Sequence, residues 1–207
     1  MNKIKLIIFD MDGVLVKSEQ FYHERRKRFL IANNYYENLD LNLTGLNEKE
    51  VWNKMVPDDT ALRDKLLNEY REYRKINQLP IKKLYDKDAL PLFLYLKSKN
   101  YKIAIASSSD INSIENFINV SQTRHLVDFY ISGEQCSKYK PDPEIYNKVL
   151  EKFNLTSDEA VAVEDSYQGI EAAKRAGLYV YGISTTNIDQ SKANLIIKKI
   201  ISLKEQM

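Results

Sequence analysis

Short apolar runs alternate along the chain with longer segments in which apolar residues recur at helical spacing. Uninterrupted apolar runs are typical of strands that are buried on both faces of a parallel sheet. The pattern predicts five such strands and a short sixth, at residues 7–9, 101–106, 127–131, 160–163, 178–183 and 193–197. The first run ends abruptly in Asp10 and Asp12, two carboxylates one residue apart, and Gly13 then permits a sharp turn.

Helices are predicted between these strands. They cover residues 89–99, residues 111–118, a segment that begins near Pro143 and a segment that ends at Gly177. Asn100 and Gly177 are expected as C-terminal caps. Asp142 is expected as the N-cap of a helix whose first turn contains Pro143. The alternation of strands and helices predicts an α/β protein with a Rossmann-like, doubly wound parallel sheet and helices on both faces.

Residues 17–82 interrupt this alternation, because they carry helical patterns and no further strand. The predicted helices contain Phe21 to Leu30, run from Glu48 to Met55, and begin at Asp58 and Asp59 with an apolar stripe of Leu62, Leu66, Tyr70 and Tyr73. A turn is expected around Asn42 to Gly45. We therefore predict a small all-helical domain, residues 17–82, inserted after the first strand into a core formed by residues 1–16 and 83–207.

Composition excludes several classes of function. The 207 residues carry a net charge of only +2, so no basic field indicates nucleic acid as a partner. The local basic run from His23 to Arg28 fits a solvated helix face, and attraction of an anionic substrate is the alternative. The single cysteine, Cys136, cannot form an internal disulfide, and no apolar stretch suits a signal peptide or a membrane span. We expect a cytoplasmic monomer or weak homodimer.

Reactive side chains follow several of the predicted strands. Asp10 and Asp12 follow the first strand, Ser107 the second, and Glu164 and Asp165 the fourth, while Lys140 precedes a helix. Each residue has an ordinary structural alternative, such as an aspartate-rich turn, a helix cap or a surface lysine. Because ligands of open α/β sheets bind at the carboxyl ends of the strands, the joint pattern indicates one site.

The charge balance of this site points to a cation. Four carboxylates that face one cleft repel each other unless positive charges intervene, and Lys140 supplies only one. A divalent metal that prefers oxygen ligands, such as Mg²⁺, would supply the rest and pair with a phosphate. The absence of a His or Cys cluster disfavours zinc. The pattern therefore suits phosphoryl transfer.

At these residues the chain resembles the haloacid dehalogenase-like hydrolase superfamily, within its β-phosphoglucomutase-like group of small phosphatases and mutases. The four motifs of that group match Asp10-Met11-Asp12-Gly13-Val14, then Ser107, then Lys140-Pro141-Asp142-Pro143, and finally Glu164-Asp165-Ser166 with Gly169 beyond. The resemblance covers the whole core, and the helical insert lies where this family carries its cap domain.

The resemblance implies a role for each matched residue. Asp10 would be the nucleophile that forms an aspartyl phosphate, and Asp12 would be the general acid and base. Ser107 and Lys140 would hold the phosphoryl oxygens. Ser108 and Ser109 would add to phosphate binding, although Ser109 is equally suited to cap the next helix.

A metal site is implied as well. Asp10, the backbone carbonyl of Asp12, and Asp165 would bind Mg²⁺, with Glu164 as a further or alternative ligand. The cap would close over the site and select the substrate, with hinges near residues 14–18 and 81–87.

The implied function is a Mg²⁺-dependent phosphatase acting on a small phosphorylated metabolite such as a sugar or polyol phosphate. A hexose-phosphate mutase of the β-phosphoglucomutase type is the alternative. Glu48 stands where those mutases carry a cap arginine, and Tyr22 aligns with their cap histidine, although His23 is adjacent; Glu48 therefore favours the hydrolase. A phospho-accepting signalling domain is a third class, which the helical insert and Asp12 oppose. A non-catalytic binding protein is opposed by the intact catalytic positions.

Overall fold

A parallel sheet of six strands forms the centre of the protein in a computed structural model that describes residues 4–41, 43, 46, 48–184 and 188–207. In chain order the strands are β1 (Leu6–Phe9), β2 (Lys102–Ser107), β3 (Phe129–Ser132), β4 (Ala160–Glu164), β5 (Tyr179–Ile183) and β6 (Leu195–Ile197). Their spatial order is β3-β2-β1-β4-β5-β6, and every neighbouring pair is parallel. The predicted doubly wound α/β sheet, including its short sixth strand, is thus confirmed.

The strand order reverses beside β1, whose two neighbours are β2 and β4. In the register of the sheet, Phe9 lies opposite Ile105 of β2 and Val163 of β4. The backbone N–H of Asp10 continues the ladder with a 3.0 Å hydrogen bond to the carbonyl of Val163. Ligands of open parallel sheets bind at such a reversal, outside the carboxyl ends of the strands.

Helices cover both faces of the sheet. They are α5 (Ala89–Ser98), α6 (Ile111–Val120), α7 (Glu144–Phe153) and α8 (Tyr167–Arg175), preceded by the short helix α4 (Ile81–Leu84), which the apolar pattern did not predict. Leu6 and Ile8 share a buried apolar cluster with α7 and α8, whereas the ring of Phe9 packs 5.0 Å from that of Phe93 in α5. This follows from the alternation of side chains along a strand.

Two of the three predicted caps are confirmed, and one was wrong. Asn100 and Gly177 follow α5 and α8 with φ angles of 66° and 80°. Pro143, however, occupies the N-cap position of α7, which begins at Glu144. Asp142 lies one residue outside the helix, where its carboxylate accepts the N–H of Glu144 at 3.0 Å. The side chain therefore satisfies a free amide of the first turn from one position earlier than expected.

The chain divides into two compact units, one formed by Met1–Lys17 and Ile81–Met207 and the other by Ser18–Pro80. In the described part of the second unit, the regular structure is helical: α1 (Glu19–Ala32), α2 (Glu48–Met55) and α3 (Thr60–Ile76). The predicted turn at Asn42 to Gly45 lies largely outside the described residues. Asp59 caps α3 by accepting the N–H of Leu62.

The helical unit has an apolar cluster of its own. Trp52 is almost fully buried, and Phe29 contacts the rings of both Trp52 and Tyr70 edge-on. The predicted stripe of α3 supplies part of this cluster, with Leu66 and Tyr70 buried and Leu62 and Tyr73 partly buried. A helical segment that buries aromatic side chains in this way gains most of its stability from packing.

The basic run from His23 to Arg28 is not simply a solvated helix face. Arg25 is buried and donates to the hydroxyl of Tyr70 at 3.0 Å and to the carbonyl of Asn77 at 2.9 Å. Its guanidinium also lies 5.0 Å from the centre of the Tyr22 ring. Arg25 therefore serves the packing of this unit through hydrogen bonds and cation–π contacts. No helix among the described residues is long and apolar enough to cross a membrane.

Candidate active site

The carboxyl ends of three adjacent strands carry the residues that the sequence singled out. Asp10 follows β1, Ser107 ends β2 and Glu164 ends β4, and all three are buried. Lys140 reaches this edge from the segment between β3 and α7, and only 9% of it is exposed. The order of the strands thus brings together positions that are far apart in the sequence.

Lys140 is the centre of this arrangement. Its ammonium group lies 2.6 Å from Asp10 Oδ1 and 2.6 Å from Glu164 Oε1, and it donates to the carbonyl of Ala106 at 3.1 Å. These three acceptors use all of the donors that a lysine has. The predicted surface alternative for Lys140 is therefore wrong, because a buried lysine needs partners of this kind.

Glu164 is held from several sides. Its Oε1 accepts from Lys140 and from the hydroxyl of Tyr146 at 2.5 Å. Its Oε2 accepts the backbone N–H of Asp165 at 3.2 Å. A Cβ at Gly169 would lie 2.1 Å from both carboxylate oxygens, so the first turn of α8 can approach this side chain only with glycine there.

Asp12 contacts the segment that follows β2. Ser109 donates its hydroxyl to Asp12 Oδ2 at 2.5 Å. The hydroxyl of Ser107 accepts the backbone N–H of Ser109 at 3.0 Å, and Asp110 caps α6 by accepting the N–H of Ser113. The alternative interpretations of Ser107 and Ser109 as helix caps are therefore wrong, since Asp110 fills that position.

Ser108 differs from its two neighbours. Ser108 is exposed. A Cβ at Gly133 would lie 3.3 Å from the Cα of Ser108, so the two backbones approach each other closely. Close approach of the backbone at Gly133 thus supports the serine segment from the side of β3.

The electrostatics of this site follow from burial and crowding of the carboxylates. Burial, aided by the charges of Glu164 and Asp12, raises the pKa of Asp10 to about 8 even though Lys140 opposes the shift. For Lys140, burial alone would lower the pKa, but the charges of Asp10 and Glu164 outweigh it and hold the pKa well above its usual value. Without a further cation, the cluster therefore retains a proton on Asp10 while Lys140 stays charged.

A divalent cation fits this deficit of positive charge. Asp10, Glu164 and Asp165 each place a carboxylate oxygen within 4.8 Å of the other two, and no histidine or cysteine of the described chain joins a group of this kind. Oxygen donors of this type suit Mg²⁺, Mn²⁺ or Ca²⁺ more than zinc.

Gly13 leaves room for the carboxylate of Asp165. Its φ is 79°, and a Cβ there would lie 1.7 Å from Asp165 Oδ2. Gln190 fixes the backbone at the same place, because its amide nitrogen donates to the carbonyl of Asp165 at 2.6 Å and to that of Ile183 at 2.6 Å. The chain thus builds a defined position for this acid.

Sequence reasoning missed Tyr146 and Gln190. Tyr146 follows Ile145 on the apolar face of α7, where a hydroxyl needs a buried acceptor, and this was an available signal. Gln190 belongs to a segment without a periodic pattern, so no comparable signal existed. Gln190 was identifiable only once the carbonyls of Asp165 and Ile183 were placed beside it.

In the helical unit, Glu48 is paired with two arginines. Its carboxylate lies 2.6 Å from Arg71 Nη2 and 3.2 Å from Arg74 Nη1. These three side chains together carry a net positive charge. Glu48 taken alone disfavoured a mutase, which needs cations for a second phosphate. His23 lies 3.7 Å from Asp40. Residues 45 and 47 lie outside the described part of the chain.

Comparison with known proteins agrees with this geometry. Residues 7–183 match the family model for haloacid dehalogenase-like hydrolases. The chain is 30% identical over 185 residues to a phosphorylated carbohydrates phosphatase of Thermotoga maritima, and this covers 87% of the chain and 85% of that protein. It is 26% identical over 205 residues to validoxylamine A 7'-phosphate phosphatase of Streptomyces hygroscopicus, covering 97% and 96%.

The crystal structure of a β-phosphoglucomutase from Clostridium difficile superposes with a TM-score of 0.74 at 22% identity. The superposition covers 98% of this chain and 94% of that one, which shows a common fold. Together with the family match over most of its length, these similarities establish that the chain belongs to the haloacid dehalogenase-like hydrolase family.

Proposed function

We propose that this protein is a Mg²⁺-dependent phosphatase of small phosphorylated metabolites, with sugar or polyol phosphates as its substrate class. The observation that carries the proposal is the buried Asp10 at the strand-order reversal, paired with Lys140 inside an acidic cluster. The two relatives reported above are phosphatases of phosphorylated carbohydrates and of validoxylamine A 7'-phosphate, which supports a small phosphorylated metabolite as the substrate.

In the first half of the reaction, the Asp10 carboxylate attacks phosphorus. The bond between phosphorus and the substrate oxygen breaks, and Asp12 donates a proton to that oxygen, which leaves as an alcohol. Ser109, through its hydrogen bond to Asp12, orients the acid. The phosphoryl group is then an acyl phosphate on Asp10.

In the second half, Asp12 takes a proton from water as its oxygen attacks the same phosphorus. The bond between phosphorus and Asp10 breaks, inorganic phosphate leaves, and the carboxylate is regenerated. Lys140 neutralises phosphoryl oxygens, and the hydroxyls of Ser107 and Ser108 donate hydrogen bonds to them. Positioning and neutralisation of charge supply most of the rate enhancement in such reactions.

Asp10 and Asp165, with the backbone carbonyl of Asp12, would hold the Mg²⁺, and Glu164 is the further candidate ligand. When bound, the metal supplies the positive charge that keeps Asp10 ionised and balances the phosphate. Residues Ser18–Pro80 would act as the cap that excludes water and selects the substrate.

The test is release of phosphate from a panel of sugar, polyol and nucleotide phosphates, with and without Mg²⁺. Asp10→Asn and Asp12→Asn should each abolish release. Asp158→Asn is the control, because Asp158 lies before β4 at the opposite edge of the sheet. Mg²⁺-independent release, or release that survives in Asp10→Asn, would contradict the proposal.

A hexose-phosphate mutase is the second candidate. The positive cluster of Arg71 and Arg74 around Glu48 favours it, because a bisphosphate intermediate needs cations for its second phosphate. An isomerised sugar phosphate formed without free phosphate would identify this activity on the same panel.

A further inference from the structure

Tyr139 directly precedes Lys140 in the chain, and the mechanism above does not use its side chain. It is the most exposed of the 14 tyrosines, at 64%, whereas Lys140 is only 9% exposed. A single exposed aromatic ring is ordinary on a protein surface and needs no explanation by itself. Tyr139 differs from the other exposed tyrosines in how its backbone is held and in what its ring borders.

The backbone is held on both sides of Tyr139. Before it, the carboxylate of Glu144 accepts the N–H of Ser137 at 2.9 Å and the N–H of Lys138 at 2.8 Å. After it, the N–H of Asp142 donates to the carbonyl of Tyr139 at 3.0 Å. The ring is therefore carried by a backbone whose shape does not depend on a ligand, and a group held in this way loses little entropy when it binds one.

The ring of Tyr139 borders the serine segment that follows β2. A Cβ at Gly133 would lie 3.3 Å from the Cα of Ser108 and 3.6 Å from Cδ1 of Tyr139, so Gly133 places no side chain between them. Ser108 and Tyr139 are both exposed. In the proposed reaction Ser108 and Lys140 bind phosphoryl oxygens. The Tyr139 ring therefore lies beside the proposed phosphate site on its solvent side, where the rest of a substrate extends.

An exposed aromatic face at this place suits one kind of substrate better than another. Aromatic faces bind flat apolar surfaces, and the C–H face of a cyclic sugar is such a surface. An open-chain polyol presents no flat face, and holding it against the ring would cost the entropy of its rotatable bonds. The relative from Thermotoga maritima is a phosphatase of phosphorylated carbohydrates, which favours a sugar over a nucleobase as the group that stacks on Tyr139.

We propose that Tyr139 is a specificity residue whose ring stacks on the sugar ring of the substrate. The preferred substrates are then phosphates of cyclic sugars, and open-chain polyol phosphates bind less tightly. This inference rests on the proposed function, because that function supplies the phosphate site beside which the ring lies. It narrows the substrate class, which the proposed function leaves divided between sugar and polyol phosphates.

The test compares glucose 6-phosphate with glucitol 6-phosphate, which has the same carbon skeleton and charge but an open chain. Tyr139→Ala should raise KM for glucose 6-phosphate about tenfold and leave KM for glucitol 6-phosphate and both kcat values nearly unchanged, because stacking stabilises the bound substrate and the transition state equally. Tyr139→Phe keeps the ring and should behave as the wild type. Tyr179→Ala is the matched control, because Tyr179 is 42% exposed but begins β5 at the opposite edge of the sheet.

Four results would overturn the inference. The first two are an equal rise in KM for both compounds in Tyr139→Ala and no rise for either. The third is a loss in Tyr139→Phe as large as that in Tyr139→Ala, which would assign the effect to the hydroxyl and not to the ring face. The fourth is a rise in KM confined to the nucleotides of the panel, which would make a nucleobase the group that stacks.

Calorimetry separates this inference from the proposed function. The affinities of Asp12→Asn for the two compounds are measured with Mg²⁺, both with Tyr139 intact and with Tyr139→Ala added. A preference for glucose 6-phosphate that disappears with Tyr139→Ala would support the inference even if the substrate panel releases no phosphate, and that inactive panel would count against the phosphatase alone. Equal affinities for the two compounds with Tyr139 intact, or binding of neither, would overturn the inference.

Discussion

Replacing Asp10 by asparagine should stabilise the metal-free protein while abolishing its activity. Asp10 is 6% exposed, and burial together with the charges of Glu164 and Asp12 raises its pKa to about 8. Asparagine has the shape of a protonated aspartate, and its oxygen can still accept from Lys140. The substitution therefore removes the cost of a buried charge and keeps the hydrogen bond.

The size of the effect follows from the pKa. An aspartate in the unfolded chain has a pKa of about 3.9, so between roughly pH 4 and pH 8 the folded state holds a proton that the unfolded state has lost. Stability contributed by this site accordingly falls as pH rises through that window. At about 1.4 kcal/mol per pH unit, the ceiling at pH 7 is about 4 kcal/mol, and relaxation of the site reduces it to about 1–3 kcal/mol.

The assay is urea unfolding of wild type and Asp10→Asn in the presence of a chelator, at about pH 5, 7 and 8.5. The free energy of unfolding of the variant should exceed that of the wild type most at the highest pH and only slightly at the lowest. In both proteins Lys140 keeps its contacts with Glu164 and with the carbonyl of Ala106, so the two proteins differ at this site only in the ionisable group of residue 10. Excess Mg²⁺ should reverse the order of stability of the two proteins, since only the wild type keeps the Asp10 carboxylate as a metal ligand.

One outcome would refute this reasoning. If Asp10→Asn is less stable than the wild type at every pH, or if the difference is independent of pH, the attraction of Lys140 exceeds the cost of burying Asp10. The pKa of Asp10 would then lie in the ordinary range, and the cluster would need no metal to be stable.

Three further changes probe the surroundings of the site. Gly13→Ala should lower the free energy of unfolding by about 1–2 kcal/mol, because residue 13 has a left-handed backbone, and should weaken Mg²⁺ binding, because the added Cβ displaces Asp165. Gly177→Ala, at a similar φ of 80°, should lower only the free energy of unfolding. Unfolding experiments and calorimetry measure the two effects separately. Equal Mg²⁺ affinities in the two variants would contradict this. Gln190→Leu should weaken Mg²⁺ binding about tenfold, since the carbonyls it holds lose their donor, and unchanged calorimetry would exclude this positioning role. Ser109→Ala should lower kcat about tenfold with little change in KM, because the acid–base loses a donor; a rise in KM alone would instead indicate a role in substrate binding.

Much of the fold could be predicted from local patterns. The helix from Glu48 to Met55 was predicted at its observed bounds, and the strand positions were close to those observed because buried parallel strands leave uninterrupted apolar runs. The short helix α4 and the N-cap of α7 were not predicted correctly. Single-turn helices and cap positions depend on which neighbouring group satisfies each amide.

Other residues could not be interpreted correctly from the sequence alone. Arg25 looked like part of a solvated basic face, and only its aromatic neighbours and the carbonyl of Asn77 make its burial possible. Glu48 was interpreted as evidence against a mutase until Arg71 and Arg74, more than twenty positions away, were placed on its carboxylate. A charge in a sequence carries no information about its partner across the fold.

The sequence by itself determined the family, the doubly wound sheet and the chemical types at the strand ends, because strand ends in parallel sheets converge at one edge. Only the tertiary structure determined which of those groups form ion pairs and hydrogen bonds with each other. It placed Lys140 between Asp10 and Glu164, set Tyr146 on the same oxygen, and left Asp165 beside Gly13. Hydrogen bonds and Coulomb forces act over a few ångströms between residues that are distant in the chain, so only the folded arrangement determines which partners each acid contacts.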